Sequence, residues 1–216
     1  MTEKKRINAF QGLRGYAIIL IFLSHCTFAT NSFGHSTTNW LGGLGVSLFI
    51  MLSGYLLVYQ DHESNQIIPI DTLKRRLKRF YPLHIVTLLI ALPFSISIFV
   101  DQFVKQSGKL ILNITLLQAW FPSSSVYFSF NAVSWYLSLT VFFIVGSTIT
   151  LKKNKKIPKR IIPAVVILIC LFELIWCSLV KNMSIAHWLI SILPIIRYFD
   201  YFAGGTLRFC SFSQKR

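Results

Sequence analysis

What most limits how this chain can fold is a succession of seven apolar stretches, near 13–30, 42–60, 82–101, 110–121, 132–151, 161–180 and 186–209. All but 110–121 reach the ~17–25 residues that a helix needs to cross a bilayer. In lipid the backbone polar groups must be satisfied within the segment, so stretches of this kind fold as helices. The chain is therefore expected to be all-α, a polytopic transmembrane helical bundle. Its balance of 54% hydrophobic to 13% charged residues, with mean hydropathy +0.59, agrees, because a soluble domain of 216 residues rarely tolerates it. No internal repeat or low-complexity linker divides it, so residues 1–216 read as one domain.

Charge sets the orientation. A formal net charge of +15 raises the question of nucleic acid, but the basic residues lie in short clusters between apolar runs rather than as a stripe over a polar surface. That is how membrane proteins fix their topology. With the N-terminus cytoplasmic and 110–121 not crossing, all but Lys105, Lys109, Lys181 and Arg197 of the 22 Lys and Arg residues fall inside. If 110–121 crossed, the KKNKKIPKR loop would be stranded outside. About six crossings plus one short re-entrant or interfacial helix are expected. MTEKKR followed by an apolar run imitates a signal peptide, but no small-residue cleavage site follows it, so it reads as a retained first span. Cys26, Cys170, Cys177 and Cys210 form no C-x-x-C pair and are expected as small packing residues.

Several polar residues interrupt the apolar stretches. Arg14 and His25 are eleven residues apart on the first one, ~3 helical turns, so they share a face to within about 20° with ~16 Å of rise between them. With Arg14 at the headgroups, His25 would lie near mid-bilayer, where an ionisable side chain is costly and faces a polar interior. Taken singly, Arg14 also fits a snorkelling anchor and His25 a helix-packing residue. In GGLGVSLFIMLSGYLLVY the small residues allow close helix approach, and Ser47 and Ser53 are candidates for a polar lining. Asp71 and Thr72 resemble a helix start, and Lys74, Arg75, Arg76, Lys78 and Arg79 follow immediately before Pro82 opens the third span. That cationic turn suits either attraction to anionic lipid or a cradle for a phosphorylated ligand. Trp135 and Ser138, in FNAVSWYLSLT, are expected at an outer mouth, as belt residues or as a surface for sugar rings. Arg197 and Asp200 lie three apart and can pair within an apolar run, although Glu173 is another possible partner for Arg197. His35, His62, His84 and His187 have no spacing that links them as metal ligands, and no metal is expected.

With these pieces in hand, the chain resembles the acyltransferase 3 family of integral-membrane acyltransferases, which modify cell-envelope and exopolysaccharide sugars. LRGYAIILIFLSH, GVSLFIMLSGYLL, RRLKRFYPL and SWYLSL carry the resemblance in the family's order, with a weaker match at YFDYFAGGTL. It covers essentially the whole chain but only the N-terminal part of the family's membrane domain, which implies truncation at the C-terminus. Two positions depart from the pattern: Ser47 stands where members often carry Asp, and Thr140 where many carry Glu. The resemblance implies transfer of a short acyl group, acetyl above all, from cytoplasmic acyl-CoA to a hydroxyl of a glycan or other small acceptor. The acyl-CoA is a co-substrate, and no bound cofactor is implied. His25 would be the general base or a transient acyl carrier, roles that an imidazole titrating near neutrality suits. Arg14 would steady a CoA phosphate or the thioester end, Arg75, Arg76 and Arg79 would hold the nucleotide phosphates, and Trp135 and Ser138 would face the acceptor. A bacterial cytoplasmic membrane is the implied location. The competing readings are a carrier or flippase that uses Arg197 and Asp200 for coupling, and an inactive acyltransferase fragment.

Cysteine-accessibility mapping in intact cells is expected to place residues 152–160 on the cytoplasmic face. Labelling of that loop by an impermeant reagent from outside would overturn the topology.

Overall fold

Small residues decide how the first two apolar stretches meet in the computed structural model, which describes residues 8–30, 35–64, 69–95, 101–154 and 158–211. The basic N-terminus through Arg6, the end of the chain with Lys215 and Arg216, and much of the loop after α1 lie outside the described residues. Helix α1 spans Asn8–Thr30 and α2 spans His35–Ser64. A Cβ at Gly45 would strike the Ala17 carbonyl and Ile21, and one at Gly42 would strike Ser24. Farther along, Phe10 packs on Tyr55 with ring centroids 4.7 Å apart. Residues 10, 17 and 24 of α1 thus meet 55, 45 and 42 of α2, an antiparallel register.

The opposite side of α2 packs on α8, Pro194–Ser211. Gly54 abuts the Tyr201 carbonyl and Gly204 abuts the Met51 carbonyl, so the backbones are in contact, and Ser47 against Asp200 with Tyr59 against Arg208 shows that the two helices run parallel. Ile50, Leu57, Val58, Leu139, Phe143, Ile192 and Tyr201 form the buried centre around this seam.

Helix α3 spans Pro69–Ala91 and is continuous through Pro82. Two expectations change here. The helix begins before Asp71, with Pro69 in its first turn where a missing N–H costs nothing, and Pro82 interrupts one hydrogen bond rather than opening a new element. The basic cluster and the apolar end therefore belong to one rod.

The short stretch folds back on itself. Helix α4 spans Phe103–Ile114 and stops at Leu116, a non-glycine residue with φ 57°. The chain reverses through the turn Gln118–Trp120 and the single-turn α5, Ser124–Tyr127, into α6, Trp135–Asn154. Just before α6, Asn131 Nδ2 donates to Thr87 Oγ1 at 3.1 Å near the end of α3. The segment thus enters and leaves the bundle at one end. Its tip reaches Phe142, whose ring lies 5.1 Å from Trp120, about 10 Å along α6 from its first residue.

Helix α7, Ile162–Val180, packs along α8 and leaves Ile167, Leu168, Leu171, Leu174, Ile175 and Leu179 exposed. So apolar a surface fits a helix solvated by hydrocarbon. Two helices, over Trp40–Tyr59 and Ile162–Val180, are long and apolar enough to cross a membrane, and Phe10–Cys26 and Ala132–Thr148 are shorter apolar helices. The last stretch is not one span. A π-helical turn at Trp188–Ile192 ends at Leu193 (ψ 118°), and Pro194 starts α8. Proline drives the residue before it out of the helical region, which produces the break.

Adding a methyl at the α2–α8 contact tests this seam. Gly204→Ala is expected to destabilise the bundle by about 1–3 kcal/mol, seen as a lower unfolding midpoint in detergent. Gly12→Ala, where nothing lies within 4 Å, is expected to leave it unchanged or raised.

Candidate active site

The α1–α2 register determines where the first two candidate residues lie. Ala17 and Leu20 are buried against α2, which turns Arg14, Ile18, Phe22 and His25 outward along the flank of α1, all of them exposed. The shared face of Arg14 and His25 is present, but within the described residues it is open rather than enclosed. The small side chains win the helix contact because they allow the closest backbone approach, and the bulky polar ones are displaced from it. Depth also differs from expectation. His25 follows Ser24, which abuts Gly42 near one end of the apolar window Trp40–Tyr59. Arg14 lies between the Phe10–Tyr55 and Ala17–Gly45 contacts, level with the middle of that window.

Arg14 there approaches a second group. The Tyr136 hydroxyl on α6 has Ser53 and Thr140 beside it, and the charges of both Arg14 and Arg76 act on it. Tyr136 also meets Phe49 edge-on, with centroids 5.8 Å apart. The start of α6, Trp135 included, therefore sits level with the middle of α2 and not at an outer mouth. Of the three α3 arginines, Arg76 is half-buried and turned toward Tyr136 and Tyr201. Arg75 and Arg79 are exposed one turn apart, with Arg79 stacked over Phe80 at 5.4 Å. Ser53 lies beside the Tyr136 hydroxyl and the charges of Arg14 and Arg76 are near enough to act on it, whereas Arg75 and Arg79 lie on another face of α3.

A separate polar cluster lies across α2. Arg197 Nη1 donates to Asp200 Oδ2 at 2.9 Å and to Ser47 Oγ at 2.8 Å, and Ser47 Oγ donates to the same carboxylate oxygen at 3.1 Å. Arg197 Nε donates to the Ser191 carbonyl at 3.0 Å, an acceptor supplied by the π-helical turn. Asp200, not Glu173, is thus the ion-pair partner of Arg197. Glu173 and Trp176 join Ser47, Arg197 and Asp200 in lining a cavity of about 370 Å³. Ser47 follows Gly45 by two residues, which turns it roughly 200° away. The cavity is therefore on the far side of α2 from His25. Ser53 is not part of it; its hydroxyl donates to the Phe49 carbonyl at 2.9 Å.

The folded-back tip carries a buried network that the sequence reading missed. Asn113 and Gln118 are fully buried. Asn113 Nδ2 donates to Ser129 Oγ at 2.8 Å, Ser134 Oγ donates to Asn113 Oδ1 at 3.2 Å, and Gln118 Nε2 donates to the Ser134 carbonyl at 3.1 Å. His84 Nε2 lies 3.0 Å from the Asn113 carbonyl. Nearby, the Tyr127 hydroxyl is 3.1 Å from His187 Nδ1, and burial pushes that hydroxyl up from its ordinary range. An Asn and a Gln inside LILNITLLQAWF were the available signal, since polar amides in an apolar run need partners. Ser138, expected to face an acceptor, is instead buried on α6, and its Oγ has no hydrogen-bond partner.

Helices with lipid-type surfaces, a paired charge in the interior and an arginine–tyrosine cluster beside a histidine-bearing face define a membrane-type bundle built around a polar site. The chain belongs to the acyltransferase 3 family: the family model described as an acyltransferase domain matches residues 7–213. It is 31% identical over 165 residues to the acyltransferase MdmB of Streptomyces mycarofaciens, covering 72% of this chain and 42% of that protein. It is 26% identical over 137 residues to the O-acetyltransferase OatA of Staphylococcus aureus, covering 61% of this chain and 21% of that protein. The chain thus spans less than half the length of these relatives. No solved structure matches it.

Breaking the buried pair is expected to be costly. Arg197→Ala leaves Asp200 uncompensated and lowers stability by about 3–5 kcal/mol, whereas the double replacement Arg197→Met/Asp200→Leu recovers most of that loss. Equal unfolding midpoints for wild type and Arg197→Ala would show that the pair carries no stability.

Proposed function

We propose that this chain is part of a membrane-bound O-acyltransferase. It moves a short acyl group, acetyl above all, from cytoplasmic acyl-CoA to a hydroxyl of a cell-envelope glycan or related acceptor. The observation that carries the reading is the placement of Arg14 and Arg76, from two helices, near enough for both charges to act on the Tyr136 hydroxyl, with Arg14 on the same flank of α1 as His25. Membership of an acyltransferase family and similarity to an O-acetyltransferase support it.

In this reading α3 meets the donor. Arg75 and Arg79 at its exposed face take nucleotide phosphates, which guanidinium forks suit, and Arg76 and Arg14 steady the phosphate end of the arm deeper in. His25 lies ~16 Å beyond Arg14 along α1, a gap that an extended, uncharged pantetheine arm can bridge. His25 then acts on the thioester or the acceptor. As a base it removes the hydroxyl proton while the oxygen attacks the thioester carbonyl and the CoA thiolate departs. As a carrier its imidazole nitrogen attacks the thioester carbonyl and releases the CoA thiolate, and the acceptor hydroxyl then takes the acyl group, freeing the imidazole and giving its proton to the departing nitrogen. The membrane placement is six crossings with the N-terminus cytoplasmic, in a bacterial cytoplasmic membrane. One observation favours a carrier instead: the helix break at Leu193–Pro194 beside the Arg197–Asp200 pair. Movement of a labelled substrate into vesicles without covalent change would support that alternative.

His25→Ala is expected to abolish acetyl-sized mass increments on envelope glycans while the protein still inserts into the membrane. Acetylation at the wild-type rate would remove His25 from the mechanism. Arg76→Glu is expected to raise the KM for acyl-CoA at least tenfold, with a difference from wild type that shrinks as salt rises; an unchanged KM would remove Arg76 from the donor site.

A further inference from the structure

The two sides of the basic helix α3 meet different surroundings. Arg76 is turned into the bundle, toward Tyr136. On the outer side, Lys78, Leu77, Tyr81 and Pro82 border a groove of about 400 Å³ whose far wall is Ile114, Leu116 and Val141. The folded-back tip supplies that wall. Leu116 adopts its left-handed φ of 57°, so α4 stops there and its last side chains roof the groove. The Tyr81 hydroxyl donates to the Ile114 carbonyl at 3.0 Å and holds the tip in place.

The groove has a polarity along its length. Lys74 and Lys78 follow each other at one helical turn, with Arg75 and Arg79 beside them, and Lys74, Arg75, Lys78 and Arg79 are all exposed. One turn farther along α3 the wall becomes Pro82 and the tip's aliphatic side chains. Pro82 has no N–H, so the Lys78 carbonyl lacks its helical donor and stays open to an outside one. Lys78 at the mouth of an apolar slot, Lys74 one turn before it, and no acidic side chain among the groove residues match a molecule with an anionic head and a hydrocarbon tail.

We propose that this groove is a binding site for one anionic phospholipid. Its phosphate sits at Lys74 and Lys78, and one acyl chain lies along Tyr81 and Pro82 beneath Ile114 and Leu116. The site is independent of the transfer reaction and requires only that α3 lie at the membrane surface. Basic residues at such an interface favour an anionic leaflet, and the slot adds selectivity for a tailed ligand over a bare phosphate.

The test is thermal unfolding of the purified chain in detergent with added dioleoyl-phosphatidylglycerol, dioleoyl-phosphatidylcholine, glycerol phosphate or acetyl-CoA. Phosphatidylglycerol is expected to raise the midpoint by several degrees more than phosphatidylcholine, and glycerol phosphate to give no shift. Lys78→Glu, at the surface, and Val141→Trp, which fills the slot, are each expected to remove the phosphatidylglycerol-specific increment. Equal shifts from the two lipids, or none from either, would overturn the proposal, as would retention of the increment in both variants. A full shift from glycerol phosphate would make this a free-phosphate site, and displacement of the lipid by acetyl-CoA would assign the groove to the donor; either outcome also overturns it.

Discussion

Close backbone contact on both sides of α2 is the constraint from which the arrangement follows. Gly42 and Gly45 let α1 approach on one side, and Gly54, facing Tyr201 and Gly205, lets α8 approach on the other. Without side chains at these positions the helices gain dispersion contacts along their length, which in lipid replace the hydrophobic drive that water would supply. Once those contacts are made, little freedom remains. The Arg14–His25 stripe must lie on the flank of α1, Ser47 must face α8, and Ser53 must turn toward α6.

The consequence is two polar regions separated by one helix. On one side Ser53 lies beside the Tyr136 hydroxyl, within reach of the Arg14 and Arg76 charges. On the other, Arg197, Asp200 and Ser47 share three hydrogen bonds at the wall of a cavity. Burying an arginine and an aspartate in an apolar bundle is expensive unless each has partners. The π-helical turn before Pro194 helps by offering the Ser191 carbonyl to Arg197 Nε. The folded-back tip meets the same requirement differently, with amide and hydroxyl side chains in place of charges.

Much of this was legible in the residues. Apolar runs gave an all-helical chain, the shortness of 110–121 set it apart from the longer stretches, and the three-residue spacing offered the Arg197–Asp200 pair with Glu173 as the alternative. Eleven-residue spacing placed Arg14 and His25 on one face of α1. Periodicity says which residues share a face, but not which face the neighbouring helix takes. The enclosure expected for His25 therefore failed where the glycine contact claimed the opposite side. Depth was misjudged for a related reason. It depends on the register between helices, here set by Ser24 against Gly42 and Phe49 against Tyr136, and no single segment encodes that. Ser138 was read as facing the acceptor because the family resemblance implied it, whereas its side chain is buried on α6.

The α1–α2 register can be tested by cysteine cross-linking in native membranes, in a background free of other cysteines. A Ser24→Cys/Gly42→Cys pair is predicted to form a disulfide readily, and His25→Cys/Gly42→Cys is predicted to stay reduced under the same oxidant. Efficient cross-linking of the second pair, with none in the first, would place His25 in the helix contact and contradict the outward face on which this account rests.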